Sequence, residues 1–408
     1  MKNRRRGRRG KKRTNRFVNW FKKLSKKKKI ALITVAVILV LALLLVGYIA
    51  SKFSKIKTEK IDKTDIEINQ EVKNNVGVGY TNFVLFGGDS REGEVERNLN
   101  TDSIIIASLN NETKEIKMVS VYRDTLLDVK NGSIRKCNSA YALGGPTQAI
   151  NMLNTNLDLN IEKYVTVDFS VVVDVIDLLG GIEVDVSAKE MSAVNDYLGE
   201  TAKVAGKPAN YLTKSGLQTL DGAQATTYAR IRKGVGDDFA RAERQRLVIQ
   251  LAAKKAMKAG LGTINKIIDE VFPRISTNFT MTEILGYAAD FANYSFGENA
   301  GFPFDKGTGT ISGRGSSVFP ITLSSNVIQL HEFLFGSTDY TVSSRVNKIS
   351  ASIKSLVGDR QADSNTTWTD NSSSENDDKE STTPSKPTTP SEPTTPSEPT
   401  PDTGAETE

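Results

Sequence analysis

Acidic and arginine residues stand at the ends of three apolar, strand-like runs and are the side chains best suited to chemistry. The runs cover residues 82–86, 103–108 and 116–121, and their flanking residues are Asp89, Arg91, Asp102, Arg123 and Asp124. If the strands are neighbours in chain order, Asp89, Asp102, Arg123 and Asp124 converge. Carboxylates without thiols or imidazoles suit Mg²⁺ or Mn²⁺, and arginines suit phosphate oxygens. By spacing alone, surface ion pairs explain the pattern equally well.

A second group of charged residues lies in the arginine-rich run 228–246. At 100° per residue, Arg241, Arg244 and Gln245 share the apolar face of a helix with Val248, whereas Arg246 points away, toward the solvated side that also carries Lys254. A buried arginine needs an anion, because an unpaired buried charge costs several kcal/mol. Either a protein carboxylate or a phosphate would satisfy it.

Several other chemistries lack the residues they need. The chain has one cysteine, Cys137, and one histidine, His331, so it can form no intrachain disulfide, and zinc or Ser-His-Asp chemistry has too few ligands or bases. No GxxxxGK[ST], GxSxG or HExxH motif occurs. His331 falls among apolar residues of a helical pattern, which indicates a structural role. Phosphate chemistry without a nucleotide-binding loop remains.

The elements that must position these residues form a mixed α/β domain over residues 80–357. β-branched runs alternate with helical patterns, which predicts a mixed sheet flanked by helices. The helices are predicted at 146–158, 239–259, 280–293, 325–335 and 342–357. Thr280 and Glu283 make a capping box at the start of the third. The apolar segment 165–176 is either ordinary core or the lining of a lipid slot.

The segments flanking this domain indicate a membrane-anchored protein. Residues 1–29 hold 16 of the 54 Lys/Arg and no acid, so the rest of the chain is net negative and a nucleic-acid partner is not expected. Residues 30–50 carry no charge and predict a transmembrane helix. The basic block then stays in the cytoplasm, which places the domain outside the cell membrane in a single-pass topology. Residues 51–79 read as an extracellular stalk, and 358–408 as a disordered acidic, Pro/Thr/Ser-rich tail.

Seven ordered motifs between residues 80 and 258 resemble the LytR-CpsA-Psr family. They are NFVLFGGDSR, NTDSIIIASLN, IKMVSVYRD, CNSAYALGG, DLLGGIEVDV, LDGAQATTYARIR and DDFARAERQR. The resemblance implies an extracellular phosphotransferase of Gram-positive-type envelopes. It would move a teichoic acid or capsular polysaccharide from a polyprenyl diphosphate carrier in the membrane lipids to peptidoglycan, through a phosphodiester, releasing polyprenyl phosphate.

The resemblance also implies roles for the charged residues. Asp89 and Asp102 match Mg²⁺-associated carboxylates. The positions that match the surroundings of the diphosphate are Arg91, Arg123, Arg230, Arg232, Arg241, Arg244 and Gln245. This chain departs from the family's usual pattern at Asn100-Thr101, where arginine and serine are common, at Tyr122, where proline is common, and at Cys137, where an apolar residue is common. The departures leave donor or acceptor preference open.

The hypothesis from sequence is direct transfer, with no covalent enzyme intermediate. Arg123 would stabilise charge on the transferring phosphoryl group, and Asp124 or Asp238 would take the proton of a muramic acid hydroxyl. One alternative is a pyrophosphatase acting on the polyprenyl-diphosphate glycan, with water as the nucleophile. Another is a non-catalytic, membrane-bound regulator of the envelope or of transcription.

Overall fold

The computed structural model describes residues 60–72, 76–88 and 101–360, together with a few residues between 25 and 58. The basic segment 1–29, the predicted span 30–50 and the tail 358–408 lie almost entirely outside the described residues. Among the residues described, no helix is long and apolar enough to cross a membrane.

The described elements alternate between strands and helices. The strands are β1 (Lys57–Thr58), β2 (Tyr80–Gly88), β3 (Thr101–Asn110), β4 (Glu115–Val121), β5 (Leu126–Asp128), β6 (Ile134–Lys136), β7 (Lys163–Asp168), β8 (Ile182–Val186), β9 (Gly216–Leu220), β10 (Ser276–Thr277), β11 (Ser295–Phe302), β12 (Lys306–Ile311) and β13 (Gly315–Pro320). The helices are α1 (Ser139–Leu157), α2 (Phe169–Leu178), α3 (Ala188–Ala205), α4 (Gly222–Tyr228), α5 (Asp238–Met257), α6 (Leu261–Val271), α7 (Met281–Ala289), α8 (Leu323–Phe335) and α9 (Ser344–Val357).

A seven-stranded mixed sheet organises these elements, in the order β1-β10-β7-β2-β3-β4-β11. β2, β3 and β4 are antiparallel neighbours, and β7 runs parallel to β2. The end of β2, the start of β3 and the end of β4 therefore meet at one edge of the sheet. The predicted mixed α/β fold and the convergence of these three strand ends are confirmed.

Alternating side chains of the central strands enter two separate cores. Phe86 of β2 and Ile104 of β3 pack with α1, α8 and α9 on one face. Leu85 and Ile105, one position along each strand, lie on the other face with Ile249 of α5. Beside this second face, the antiparallel pair of β8 and β9 packs with α3, α4 and α5 in a third apolar cluster. Successive side chains of a β-strand point to opposite faces of the sheet. Because both faces are covered here, these runs are apolar on both sides.

Most predicted helices are confirmed with shifted ends. The first begins at Ser139, but Gly144 and Gly145 break it, so the predicted start at residue 146 matches its second part. The capping box between Thr280 and Glu283 is present at the start of α7, although that helix ends at Ala289. The prediction did not include α2, α3, α4 or α6.

Part of the segment 51–79, predicted as a stalk, packs against the domain where the structure describes it. β1 pairs with β10 at the edge of the sheet. Asn69 is buried, and its amide donates to Asp158 Oδ1 at 2.6 Å and to Ser343 Oγ at 3.3 Å. These residues are tied down by contacts across the chain, which a composition argument does not show.

His331 is structural, as predicted. It is buried in α8, its Nε2 lies 2.9 Å from the carbonyl oxygen of Leu157, and its ring stacks on Tyr340 with centroids 3.7 Å apart. Burial lowers the pKa of this imidazole, although the Leu157 carbonyl and the Asp158 carboxylate oppose the shift. The folded state therefore favours the neutral ring.

A pH dependence of stability follows from that lowered pKa. In the unfolded chain the imidazole takes up a proton as the pH falls through about 6.5, whereas the folded chain resists protonation. We expect the free energy of unfolding to decrease from pH 7.5 to 5.5, by at most about 1.4 kcal/mol per pH unit from this group. Urea unfolding at several pH values measures the slope. Because the chain has no other histidine, His331→Asn should flatten it. An equal slope in both proteins would contradict the assignment.

Candidate functional site

The edge where β2, β3 and β4 meet carries the first predicted group of charged residues. β2 and β3 stay paired up to this edge, where the register shifts by one residue between Gly87 and Gly88 and Gly88 pairs with Thr101. Asp102 follows directly in β3, and Arg123 and Asp124 follow the end of β4. Asp89 and Arg91 lie outside the described residues.

Arg123 is the centre of a cluster of carboxylates. Its NH1 donates to Asp102 Oδ1 at 2.5 Å. Its Nε lies 3.6 Å from Asp124 Oδ2 and 3.7 Å from Asp238 Oδ2. Burial lowers the pKa of this guanidinium, but the charges of Asp238, Asp102 and Asp124 and the hydrogen bond to Asp102 raise it more, and the net shift is upward. The structure thus brings together Asp102, Arg123, Asp124 and Asp238 from three elements.

The start of α5 connects the arginine-rich run to this cluster. Arg241 NH2 donates to Asp238 Oδ2 at 2.9 Å and lies 3.4 Å from the backbone oxygen of Asp102. Arg232 NH1 lies 3.4 Å from Asp238 Oδ1. Burial lowers the pKa of Arg241 to about 10, with a contribution from the neighbouring charges of Arg232 and Arg123, and against the effect of Asp238. Arg241 therefore keeps its charge at neutral pH in a poorly solvated place.

A polar cavity of about 260 Å³ opens beside these arginines. Four bases and two acids contribute to its wall, and the predicted site residues among them are Asp102, Arg230, Arg232, Arg241 and Gln245. Arg230 also lies over the ring of Phe169, 4.8 Å from its centroid. A cavity with this excess of positive charge suits a ligand with several negative charges.

An apolar cavity of about 230 Å³ adjoins the polar one. Phe169 and Gln245 line both cavities. Leu85 and Ile105 of the sheet form one wall of the apolar cavity, and Val248 of α5 contributes to another. Within the segment 165–176, Val165, Val167 and Val172 line the apolar cavity, whereas Val171, Val173 and Ile176 are buried.

The helical face predicted for α5 is correct for three residues and wrong for Arg246. Arg241, Arg244 and Gln245 are buried and Lys254 is exposed, as expected. Arg246 is also buried, only 5% exposed, and its Nε donates to Asn299 Oδ1 at 2.7 Å. The prediction assumed that only one side of α5 packs against the domain. In the structure, β11 pairs with β4 and covers a second side of the helix.

The strand-end residues Tyr122 and Cys137 contribute to packing. Tyr122 is buried against Phe239, with ring centroids 4.5 Å apart, and Lys306 Nζ lies 4.7 Å from the centroid of Phe239. Cys137 is buried, and its thiol lies 3.2 Å from the Tyr122 carbonyl oxygen. Burial raises the pKa of this thiol far above its usual range, which confirms packing over reactivity.

The arrangement of strand-end acids and arginines occurs in a stretch that matches a known family. The LytR_cpsA_psr family model matches residues 43–298, more than half of the chain. The chain belongs to the LytR_cpsA_psr family. The match extends on both sides of the seven motifs at residues 80–258.

Curated relatives of this LytR_cpsA_psr protein have been named both as transferases and as regulators. It is 32% identical over 200 residues to the polyisoprenyl-teichoic acid–peptidoglycan teichoic acid transferase TagV of Bacillus subtilis (strain 168), covering 48% of this chain and 49% of that protein. It is 33% identical over 217 residues to the regulatory protein MsrR of Staphylococcus aureus (strain COL), covering 52% and 60%. The chain thus spans about half to three fifths of these relatives.

Solved structures of similar proteins share the fold. TagT bound to LIIa-WTA has a TM-score of 0.53 at 19% identity, covering 68% of this chain and 98% of TagT. The LytR-CPS2A-psr family protein YwtF (TagT) with bound octaprenyl pyrophosphate lipid has a TM-score of 0.50 at 18% identity, covering 68% and 100%. At these identities, the similarity establishes only the fold of this family member. Its chemistry has to be argued from the residues of the site.

The cavities also contain residues that the sequence analysis did not single out. Tyr197, Glu200 and Thr201 of α3 line the polar cavity, and Lys136 Nζ lies 2.8 Å from Asp124 Oδ1. α3 was not predicted, and its residues meet the site only through tertiary packing. Lys136 lies 12 residues after Asp124, in the short β5–β6 hairpin. No pattern in the sequence predicts that these two side chains meet.

Arg244 has partners other than the predicted diphosphate. Its NH2 donates to the Ile231 carbonyl at 2.7 Å, its NH1 donates to the Val235 carbonyl at 3.1 Å, and Glu190 Oε1 is 3.5 Å away. It does not contribute to the wall of either cavity. The residue fastens the loop between α4 and α5, which carries Arg232.

We expect Arg244→Ala to lower the free energy of unfolding by about 1–3 kcal/mol, because two buried carbonyl groups lose their donor. Urea unfolding measures this loss. Arg230→Ala, which removes a guanidinium from the cavity wall without such carbonyl partners, is the matched control and should change stability less. Wild-type stability in Arg244→Ala, together with weakened diphosphate binding, would show that Arg244 faces the ligand.

Proposed function

We propose that this protein transfers a glycopolymer, of teichoic acid or capsular polysaccharide type, from a polyprenyl diphosphate carrier to peptidoglycan. The observation that carries the proposal is the pair of adjoining cavities, one lined by arginines and one apolar, that share Phe169 and Gln245. A lipid diphosphate has the same two parts, a dianionic head and a hydrocarbon tail.

Polar atoms that lack partners also support an anionic ligand. Within the described part of the chain, Arg123 Nε and Arg241 Nε are buried and have no hydrogen-bond acceptor. Buried donors are rarely left unsatisfied, since each costs about 1–3 kcal/mol. Oxygens of a diphosphate would supply acceptors at both positions. Internal ion pairs satisfy these guanidinium groups in part, which keeps them in place before the ligand binds.

The relatives support the same substrate class. TagV is named for transfer of teichoic acid from a polyisoprenyl carrier to peptidoglycan, and one solved structure of TagT holds an octaprenyl pyrophosphate lipid. Of the residues that match the family's motifs, Asp102, Arg230, Arg232, Arg241 and Gln245 line the polar cavity. This coincidence favours a polyprenyl-linked donor over a soluble one.

The transfer step requires one bond to form and one to break. A hydroxyl oxygen of the acceptor attacks the phosphorus that bears the glycan, and the bond from that phosphorus to the bridging oxygen breaks. Polyprenyl phosphate leaves with the electron pair. Arg123 and Arg241 stabilise the charge on the phosphoryl oxygens, and the hydroxyl proton passes to a nearby carboxylate, Asp124 or Asp238, or to water.

We propose that acidic residues at the site hold a magnesium ion together with the diphosphate. Among the residues described, no group of three or more His, Cys, Asp or Glu side chains could hold a metal. Mg²⁺ commonly needs only one or two protein carboxylates, together with water and phosphate oxygens. Asp102 would hold it with Asp89, which lies outside the described residues, and the bound ion would neutralise diphosphate charge. Chelation should then abolish turnover, and added Mg²⁺, or Mn²⁺ in its place, should restore it.

A membrane location completes the proposal. The uncharged residues 30–50 would anchor the chain in the cell membrane, with the basic residues 1–29 on the cytoplasmic side and the domain outside, beside the lipid carrier. Protease added to intact cells should then cleave the domain and spare the amino-terminal segment. Protection of the domain would contradict this orientation.

The decisive experiment follows phosphorus and sugar separately. The full chain in lipid vesicles is given a labelled polyprenyl-diphosphate glycan, Mg²⁺ and peptidoglycan fragments. Sugar phosphate joined to peptidoglycan, with polyprenyl phosphate released, is the expected result. Sugar phosphate released into solution in equal yield with and without acceptor would instead identify a hydrolase. No turnover would favour the regulatory alternative.

A further inference from the structure

An open basic cleft of about 560 Å³ lies between two short hairpins, and none of its residues lines the polar cavity. The β5–β6 hairpin supplies Arg135 and Lys136, and the turn between β12 and β13 supplies Gly313 and Arg314. Ser133, Asn138 and Ser139 add hydroxyl and amide groups to the wall. No carboxylate lines this cleft in the part of the chain that is described, so its net charge is positive.

The arginines of the cleft are not used in ion pairs with described carboxylates. Arg135 is exposed, and its Nε donates to Ser133 Oγ at 3.1 Å. Arg314 Nε donates to the Ile134 carbonyl at 2.7 Å, and its NH1 lies 3.3 Å from the Ser312 carbonyl. Each guanidinium therefore keeps donor groups and its full charge for a ligand in the cleft.

The cleft is connected directly to the cluster around Arg123. Lys136 Nζ pairs with Asp124 Oδ1 at 2.8 Å, and the amide of Asn138 donates to the Arg123 carbonyl at 3.1 Å. From the opposite wall, the amide of Val318 in β13 donates to the Asp124 carbonyl at 3.0 Å. The hairpin with Lys136 thus holds the Arg123 backbone and the Asp124 side chain, and β13 holds the Asp124 backbone, so both hairpins of the cleft are tied to this pair of residues.

One wall comes from outside the segment that matches the family. The match ends at residue 298, whereas β12, β13 and the turn with Arg314 cover residues 306–320. This hairpin is therefore where a partner particular to this chain would be recognised.

We propose that this cleft binds the anionic glycan strand that accepts the transferred polymer, an inference that rests on the proposed function. Peptidoglycan carries carboxylates on its peptide stems and hydroxyls on its sugars, which match the arginines and the serine and amide groups. The donor's diphosphate and lipid fit the two cavities on the Asp102 side of Arg123. Lys136 of the cleft pairs with Asp124, a proposed acceptor of the hydroxyl proton, so an acceptor strand in the cleft would be held near that carboxylate.

Arg135→Glu in the full chain tests the cleft, with Lys130→Glu as the matched control. Both residues are exposed in the β5–β6 hairpin and both substitutions make the same change of charge, but Lys130 does not line the cleft. We expect Arg135→Glu to raise the KM for peptidoglycan fragments about tenfold, with the KM for the donor and the kcat unchanged. Retention on purified peptidoglycan should fall in parallel, whereas Lys130→Glu should behave as wild type.

Other outcomes overturn the proposal, and they are distinguishable from failure of the function. An increased KM for the donor alone would assign the cleft to phosphates of the donor polymer. An unchanged KM for the acceptor, or an equal effect of Lys130→Glu, would remove the cleft from recognition while transfer itself stands. If wild type transfers nothing, the proposed function fails. If, in addition, wild type and Arg135→Glu are retained equally on peptidoglycan, the cleft does not bind the glycan strand.

Discussion

Arg123→Ala is expected to lower the rate of glycan transfer by about a hundredfold or more while the chain stays folded. The guanidinium lies within 4 Å of Asp102, Asp124 and Asp238. Its removal takes away a donor to the phosphoryl oxygens and leaves three carboxylates facing an anionic substrate. Both effects raise the barrier for the transfer step, so the loss should appear in kcat as well as in donor binding.

The conservative variant separates charge from geometry. Arg123→Lys keeps the charge but presents a point donor in place of a planar fork, so its rate should fall between those of wild type and Arg123→Ala. The control is Arg345→Ala, which removes an exposed ion pair with Glu67, far along the chain in α9, and should leave turnover unchanged. Rates are measured with labelled donor, and circular dichroism confirms folding. Wild-type turnover in Arg123→Ala would exclude it from the site.

The sequence predicts the sheet edge well because the evidence for it is local. Apolar runs of strand length locate β2, β3 and β4, and short connections favour antiparallel neighbours. Once the order is known, the meeting of Asp102 with Arg123 follows from strand direction alone. The capping box at Thr280 is equally local, and it is present where expected.

The partners of buried charges could not be predicted in the same way. Helical periodicity shows that Arg241 and Arg244 face inward, but it does not show that one reaches Asp238 while the other binds the carbonyls of Ile231 and Val235. Arg246 was assigned to solvent because β11 joins the sheet from more than 170 residues after β4. Such contacts depend on tertiary packing, which a single helix pattern does not contain.

The elements after residue 290 show a related limit. β12 reads KGTGTI and has little apolar alternation, so its pairing with β13 is set by the turn and by the core beneath it. Consequently, the sequence alone did not predict the basic cleft. Its residues come from two hairpins that are separated by about 170 positions in the chain.

Gly222→Ala is expected to cause the largest loss of stability, about 3 kcal/mol or more. Gly222 opens α4 directly after its N-cap Asp221. A Cβ at this position would lie 2.1 Å from the carbonyl oxygen of Val173 and 2.8 Å from Asp177 Oδ1. The first of these atoms belongs to the backbone of α2, so the added methyl can be accommodated only if the two helices separate.

Gly262→Ala is the matched control for this effect. Gly262 lies in α6 with no atom within 4 Å of an added Cβ, and alanine favours a helix by about 1 kcal/mol over glycine. Urea unfolding should therefore show wild-type or higher stability for Gly262→Ala and a large loss for Gly222→Ala. Equal stabilities would mean that α2 and α4 are further apart than described.

Separation of α2 and α4 should also reach the site. α4 ends at Tyr228, two residues before Arg230 and four before Arg232, and α2 begins with Phe169 in the wall of both cavities. A shift between these helices therefore moves the arginines relative to the ring that Arg230 covers. At temperatures where Gly222→Ala remains folded, we expect weaker donor binding than in wild type, measured as an increased KM for the lipid diphosphate. An unchanged KM in the folded variant would show that the loop after α4 positions its arginines independently of the helix.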